Sequence, residues 1–284
     1  MAEFFAELAG RLRSFASVQG YASALRWHLG LVGDGAAEAL GSAVVQLALR
    51  GAKRQLAASH RPQRKLALFP PHLLRLHAAL RAESAKHVAL WAATLVGFWG
   101  MARKGDLLPA AQRVRGDQDV LVSDLLLCEQ GAFLRLRHSK TLQFGDRQHL
   151  LVFPAVSDPH PLCPYWALKR HSATNLQAAD GGSQLFAFWA AAGARSSLSA
   201  PIFDAEFRRL CLAVGLQPRL FSGHSLRRGG ASTALSLGLS KEAIAAIGDW
   251  RSAAVECYLQ ARVGDLHRSG SCLAAALRRQ FPLP

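Results

Sequence analysis

In the stretch GHSLRRGGASTALSLGLSKEAIAAIGDWRSAAVECYLQ, residues 223–260, His224 and Arg227 stand three positions apart. On a helix that spacing puts both on one face, where an imidazole and a guanidinium can meet the oxygens of a single anion. A phosphate suits the pair. Arginine donates two parallel hydrogen bonds and stays charged at any working pH, while histidine can donate or transfer a proton near neutrality. Taken alone, the pair reads better as a surface or local salt-bridge feature. Tyr258 follows Arg227 by 31 residues with Trp250 between them, and the intervening short helices let the chain fold back towards the same phosphate. A phenol with a pKa of about 10 becomes a useful nucleophile when fixed cations meet both its oxyanion and the phosphoryl charge. The bland alternatives are a half-buried tyrosine at a helix end and a core tryptophan whose indole N–H finds an acceptor.

The elements that must position these groups are mostly helical. Residues 1–82 carry apolar residues at helical spacing, namely Phe4, Leu8 and Leu12; Tyr21, Leu25 and Leu29; Leu40, Val44 and Leu47; and Leu73, Leu76 and Leu80. The segment HRPQRKLALFPP at 60–71, with three prolines, reads as an extended crossing between helices. We place a domain junction at 82/83. The uncharged run from Val88 to Ala102 spans fifteen residues, too short for a bilayer, and reads as a buried helix. Three β-like runs follow at 119–128, 132–139 and 149–154, separated by turn residues, which predicts a small antiparallel sheet. Helices then return, with Ser240 and Ser252 as N-caps, and an apolar helix with a basic end at 271–280. The fold class expected is mainly α with a small antiparallel sheet, as a helical domain at 1–82 and a mixed domain at 83–284.

Charge points to the partner. The 284 residues hold 34 Lys and Arg against 19 acids, a net charge of +15, which suggests a polyanion. No acid occurs from residue 39 to residue 82, where Arg50, Lys53, Arg54, Arg64 and Lys65 all fall. A surface kept only for solubility usually mixes both signs, so we read a face that follows phosphates. Five scattered cysteines with no CxxC pair indicate neither a disulfide framework nor a zinc site, which suggests an intracellular protein. No signal peptide is read at the N-terminus.

The pattern GHSLRRGGAS…GDWRS…Y resembles the C-terminal signature of the tyrosine recombinases, the phage integrase family. LVGFWGMARKGDLLP resembles that family's first motif, in which a helix ends at a catalytic arginine with an acid three residues on, here Arg103 and Asp106. LRLRHSKTLQFGDR resembles the β-hairpin that carries a catalytic lysine, which maps to Lys140, with Arg135 and Arg137 competing for the role. SVQGYASALRWHLG and LRGAKR resemble the preceding helical core-binding domain. The "RSAA" style of the third motif is similar to eukaryotic transposon-encoded members. Two features depart from the usual pattern: Trp250 stands where a histidine is common, and its gap to Tyr258 is eight residues rather than nine.

This resemblance implies a two-domain C-shaped clamp on double-stranded DNA and strand cleavage and rejoining through a 3′-phosphotyrosine, with no metal and no cofactor. Tyr258 would be the nucleophile. Arg103 and Arg227 would clamp the non-bridging oxygens, Lys140 would protonate the leaving 5′-oxygen, His224 would assist proton transfer, and Trp250 would donate its indole N–H. Asp106 would orient Arg103 or His224. DNA backbone contacts would come from Arg50, Lys53, Arg54, Arg64, Lys65 and Arg228. The 271–280 helix suits docking on a neighbouring protomer, hence a homo-oligomer, a tetramer, on DNA. Location would be intracellular without a membrane, nuclear in a eukaryote and otherwise cytoplasmic or with the nucleoid. Two other readings stand beside it. One is a type IB topoisomerase-like nicking and closing enzyme; the other is a domesticated DNA-binding protein without catalysis, against which the full set of six catalytic positions argues.

Overall fold

A computed structural model describes residues 1–33, 36–59, 65–113, 115–139, 142, 148–190, 193–251 and 255–256. The chain divides into two compact units, Met1–Arg64 and Lys65 onward, so the junction lies some eighteen residues before the 82/83 position expected from sequence. The reason is long-range. Leu66 N–H donates to the Leu220 carbonyl at 2.7 Å and Leu68 N–H to that of Ser225 at 3.0 Å, and Leu68, Leu73 and Leu76 sit in the core of the second unit.

The first unit is helical: α1 (Ala2–Arg11), α2 (Phe15–Val32), α3 (Ala36–Ala39) and α4 (Ala43–Ser59). Ser14 caps α2 by accepting from Ser17 N–H, and Gly33, at φ 79°, ends it in the left-handed region that glycine adopts without steric cost. Phe5, Ala9, Val18, Leu40, Val45, Ala52 and Leu56 form its core. Two expected stripes are shifted by one residue. Phe5 is buried and Phe4 partly exposed; Val45 is buried while Val44 and Leu47 are exposed. Where apolar residues are adjacent, a 3.6-residue period fits either stripe, and the packing of α1 on α4 decides between them.

The second unit is built around α6 (Ala85–Trp99), in which every residue from His87 to Phe98 is buried. Ser84 caps it by accepting from His87 N–H. A helix apolar all round belongs in a core, and α5 (Pro70–Ala78), α8 (Pro164–His171), α9 (Ala200–Ala213) and α10 (Gly223–Ser236) supply core residues around it. The predicted sheet is present as β1 (Leu125–Cys128), β2 (Gly131–Leu136) and β3 (His149–Pro154), antiparallel and in that order. Leu134 pairs with Leu151 and Ala132 with Phe153, all buried, while Leu150 and Val152 alternate outward. The first strand is shorter than expected because residues 122–124 form a 3-10 turn. A second hairpin, β4 (Ala187–Trp189) with β5 (Arg195–Ser197), was not read from sequence. Two further short helices are α7 (Lys104–Leu107) and α11 (Lys241–Gly248). No helix among the described residues is long and apolar enough to cross a membrane.

Two adjacent glycines place α10. A Cβ on Gly229 would lie 1.7 Å from the Leu68 carbonyl oxygen, and one on Gly230 would lie 2.0 Å from that of Phe98. The helix therefore rests backbone to backbone on both the 66–68 segment and the end of α6. This close approach aims the first turns of α10 at the residues that leave α6.

Candidate active site

The chain leaves α6 through Met101, a non-glycine residue at φ 48°, a sparsely populated conformation for a side-chain-bearing residue. That turn directs the Met101 carbonyl at α10, where Arg227 Nη1 donates to it. Two residues on, Arg103 caps the short α7, and Asp106 accepts from the Arg103 N–H at 3.3 Å and stands 3.5 Å from its Nη1.

Arg227 is 1% exposed and is the largest fully buried side chain among the described residues. Its guanidinium carbon lies 3.7 Å from the centre of the Trp250 ring, a cation–π contact. Trp250 is set there by the end of α11. Asp249 takes a left-handed conformation at φ 54°, the Trp250 N–H returns to the Ala245 carbonyl at 2.9 Å, and the indole covers Gly248, where a Cβ would meet the ring at 2.0 Å. Met101, Ala231, Ala234, Ile244 and Val255 close the cluster around it.

The fields within this group are mutual. Burial pushes the Asp106 carboxyl above its usual value even though Arg103 and Arg227 pull it down. Burial, then Arg227, Arg228 and Arg103, hold His224 below 6.5. The structure thus brings Arg103, Asp106, His224, Arg227 and Trp250 together, with two guanidiniums against one carboxylate. Such a site attracts an anion that supplies several acceptor oxygens.

Lys140, Tyr258 and Arg64, with the 271–280 segment, lie outside the described residues. Of the three cations that compete on the hairpin, two are engaged elsewhere. Arg135 donates to Asp124 Oδ1 at 2.7 and 2.9 Å, and Arg137 Nε donates to Asp124 Oδ2. Asp124 is fully buried; although burial alone would raise its carboxyl, Arg137, the Leu121 N–H and Arg135 hold it low. Nothing in its sequence context marked Asp124, which lies eleven residues ahead of Arg135, across a strand turn. Arg228 donates to the Lys65 carbonyl at 2.8 Å and Lys65 to that of Arg219 at 2.6 Å. Arg50, Lys53 and Arg54 sit on α4 of the first unit, where Lys53 lies 5.8 Å from the Phe15 ring centre. Among the described residues no cluster of His, Cys, Asp or Glu could hold a metal.

No protein-family model matches the chain, and no curated protein matches it. Solved structures do. An XerA recombinase superposes with a TM-score of 0.52 at 17% identity, over 86% of this chain and 78% of that one. The Tn1549 transposon integrase in complex with circular intermediate DNA gives 0.53 at 14% identity, over 95% and 84%. A second such complex of that integrase gives 0.54 at 14%, over 96% and 85%. The chain has the tyrosine recombinase fold. The tyrosine recombinase fold is thus present here with the mainly helical architecture and small antiparallel sheet expected from sequence.

The lowered His224 pKa carries a testable sign. A base whose folded pKa is depressed is neutral at pH 7, and its stabilising contribution is present above 6.5 and lost as pH falls through the folded value. We expect NMR titration of the His224 ring to give a midpoint below 6.5, moving up in Arg103→Ala; a wild-type midpoint at or above 6.5 contradicts this field.

Proposed function

We propose that this protein cleaves and rejoins double-stranded DNA through a 3′-phosphotyrosine at Tyr258, as a tyrosine recombinase. The observation that carries the reading is the buried Arg227, stacked on Trp250 and grouped with Arg103, Asp106 and His224, within a fold shared with recombinases. The scissile phosphodiester is held by Arg103 and Arg227, whose fixed guanidiniums offset the charge that grows on the non-bridging oxygens. Tyr258 Oη forms the new P–O bond as the bond to the 5′-oxygen breaks. Lys140 gives a proton to that oxygen; Lys140 is preferred over its hairpin neighbours because Arg135 and Arg137 are engaged by Asp124. His224, neutral before DNA arrives, is suited to accept the phenolic proton. Trp250 supports Arg227 from behind and offers its indole N–H, and Asp106 orients Arg103. Attack by a 5′-hydroxyl on the phosphotyrosine reverses every step, so no external energy source is consumed.

In the same reading the 1–82 region, with Arg50, Lys53, Arg54 and Arg64, and then Lys65 and Arg228, follows the DNA backbone, where lysine and arginine contacts fix register without reading sequence. Copies assemble on DNA through the 271–280 segment.

The experiment is a covalent-adduct assay. Purified protein is mixed with a library of nicked duplexes that trap cleavage, with and without chelator, and adducts are mapped by peptide mass spectrometry. The expected result is a chelator-resistant adduct on the peptide containing Tyr258. Salt-sensitive DNA binding with no adduct would favour the non-catalytic binder.

A further inference from the structure

A second feature of the Lys65-onward unit lies beside the grouped residues. A cavity of about 440 Å³ opens next to the start of α10, lined by Lys65, Lys104, Arg208 and Arg219 over a floor that includes Phe207 and Phe221. Its position is tied to the site by sequence and by contact. Lys104 follows Arg103, Ser222 precedes the turn that carries His224, and a Cβ on Gly223 would sit 2.9 Å from the Lys104 Cβ. The floor is firm, since Phe207 and Phe221 are both buried.

The charge in this bowl is poorly compensated. Lys104 Nζ pairs with Asp204 Oδ2 at 2.5 Å, and Asp204 is the one carboxylate in the lining. Lys65 gives a hydrogen bond to the Arg219 carbonyl, which leaves its full charge in place. Arg219 Nε donates to the neutral amide of Gln217 at 3.3 Å. Arg208 is exposed, and among the described residues neither it nor Arg219 has a carboxylate within salt-bridge distance. Arg209, the next residue on α9, provides the contrast, because it is paired with Glu206 at 3.2 Å.

We propose that this bowl holds a backbone phosphate of the DNA strand beside the scissile position, with Arg208 and Arg219 as its principal donors. The inference rests on the proposed function for its partner, a DNA duplex, and adds residues that neither motif spacing nor the grouped site assigns. A phosphodiester brings one negative charge and two free acceptor oxygens, which matches two guanidiniums lacking carboxylate partners above an apolar floor that excludes counter-charge.

The test is the salt dependence of binding to a mixed-sequence duplex, followed by fluorescence anisotropy between about 50 and 200 mM salt. Each phosphate contact removed should lower the slope of log K against log salt by about 0.9. The double variant Arg208→Ala/Arg219→Ala, which removes both donors to this one phosphate, is therefore expected to lose about 0.9 from the slope of the wild type. Arg209→Ala should leave it unchanged, and Arg208→Lys/Arg219→Lys should restore most of it. All three residues concerned are exposed, and thermal unfolding of each variant checks that folding is kept. An unchanged slope in the alanine double variant, with the wild type still binding, overturns this inference alone. A wild type with no salt-dependent binding overturns it together with the proposed function.

Discussion

Arg227→Ala is expected to lower the rate of adduct formation by about 10²–10³ and to cost about 2–4 kcal/mol in folding stability. The two losses have different origins. On the proposed mechanism the rate falls because a preorganised donor to the developing phosphoryl charge is gone. Stability falls because the side chain is the largest fully buried one described, stacked on Trp250 and donating to the Met101 carbonyl, and its removal leaves a hole against the Trp250 ring. Arg227→Lys separates them. It keeps a charge and part of the volume but not the planar stacked fork, so it should regain some stability and little rate. Single-turnover cleavage and urea unfolding measure the pair. Equal recovery of rate and stability in the lysine variant would show that charge alone serves the site.

Gly230→Ala is expected to destabilise the Lys65-onward unit by more than about 3 kcal/mol. The added methyl meets the Phe98 carbonyl oxygen at 2.0 Å and the Met101 Cγ at 3.3 Å. A flexible side chain could turn aside, but a carbonyl locked in the last turn of α6 cannot, so either α10 or α6 must move. Since α10 carries His224 and Arg227, any variant that folds should also cleave slowly. Gly51→Ala on α4 is the contrasting case. Nothing lies within 4 Å of its added methyl, and it should stabilise the first unit by about 0.5–1 kcal/mol because alanine loses less backbone entropy in a helix. Urea midpoints of the two variants read both effects. A Gly230→Ala protein as stable as the wild type would mean that the helices are less closely seated than the contact requires.

Of the grouped residues, His224 and Arg227 were legible from spacing, because they share a helix face by periodicity, whereas Arg103, Asp106 and the role of Trp250 came from the resemblance of their motifs to a known family. The β2–β3 pairing was also legible, since alternation along residues 131–136 and 149–154 marks one buried face on each strand. What escaped depends on distant partners. The extended 65–69 segment reads from sequence as a crossing between helices of the first domain, and only its hydrogen bonds to Leu220 and Ser225 assign it to the second unit. The β4–β5 hairpin offers three residues a side, Ala-Phe-Trp against Arg-Ser-Ser, too few for a period to emerge. Asp124 reads from sequence as one residue of the 119–128 strand, yet it is the buried acceptor that fixes two arginines. That each glycine of the α10 pair meets a specific carbonyl is knowable only from the packing.

The position of Arg227 has a consequence for how such a protein would decay if its activity were no longer selected. A nucleophile can be lost without harming the fold, whereas an arginine wedged between an indole and a main-chain carbonyl cannot drift freely, because the folded chain itself depends on it. An inactive descendant would be expected to keep its arginine long after its tyrosine had gone. The persistence of Arg227 in any related sequence would therefore testify mainly to folding, and under the proposed mechanism it is the presence of Tyr258 that would speak for chemistry.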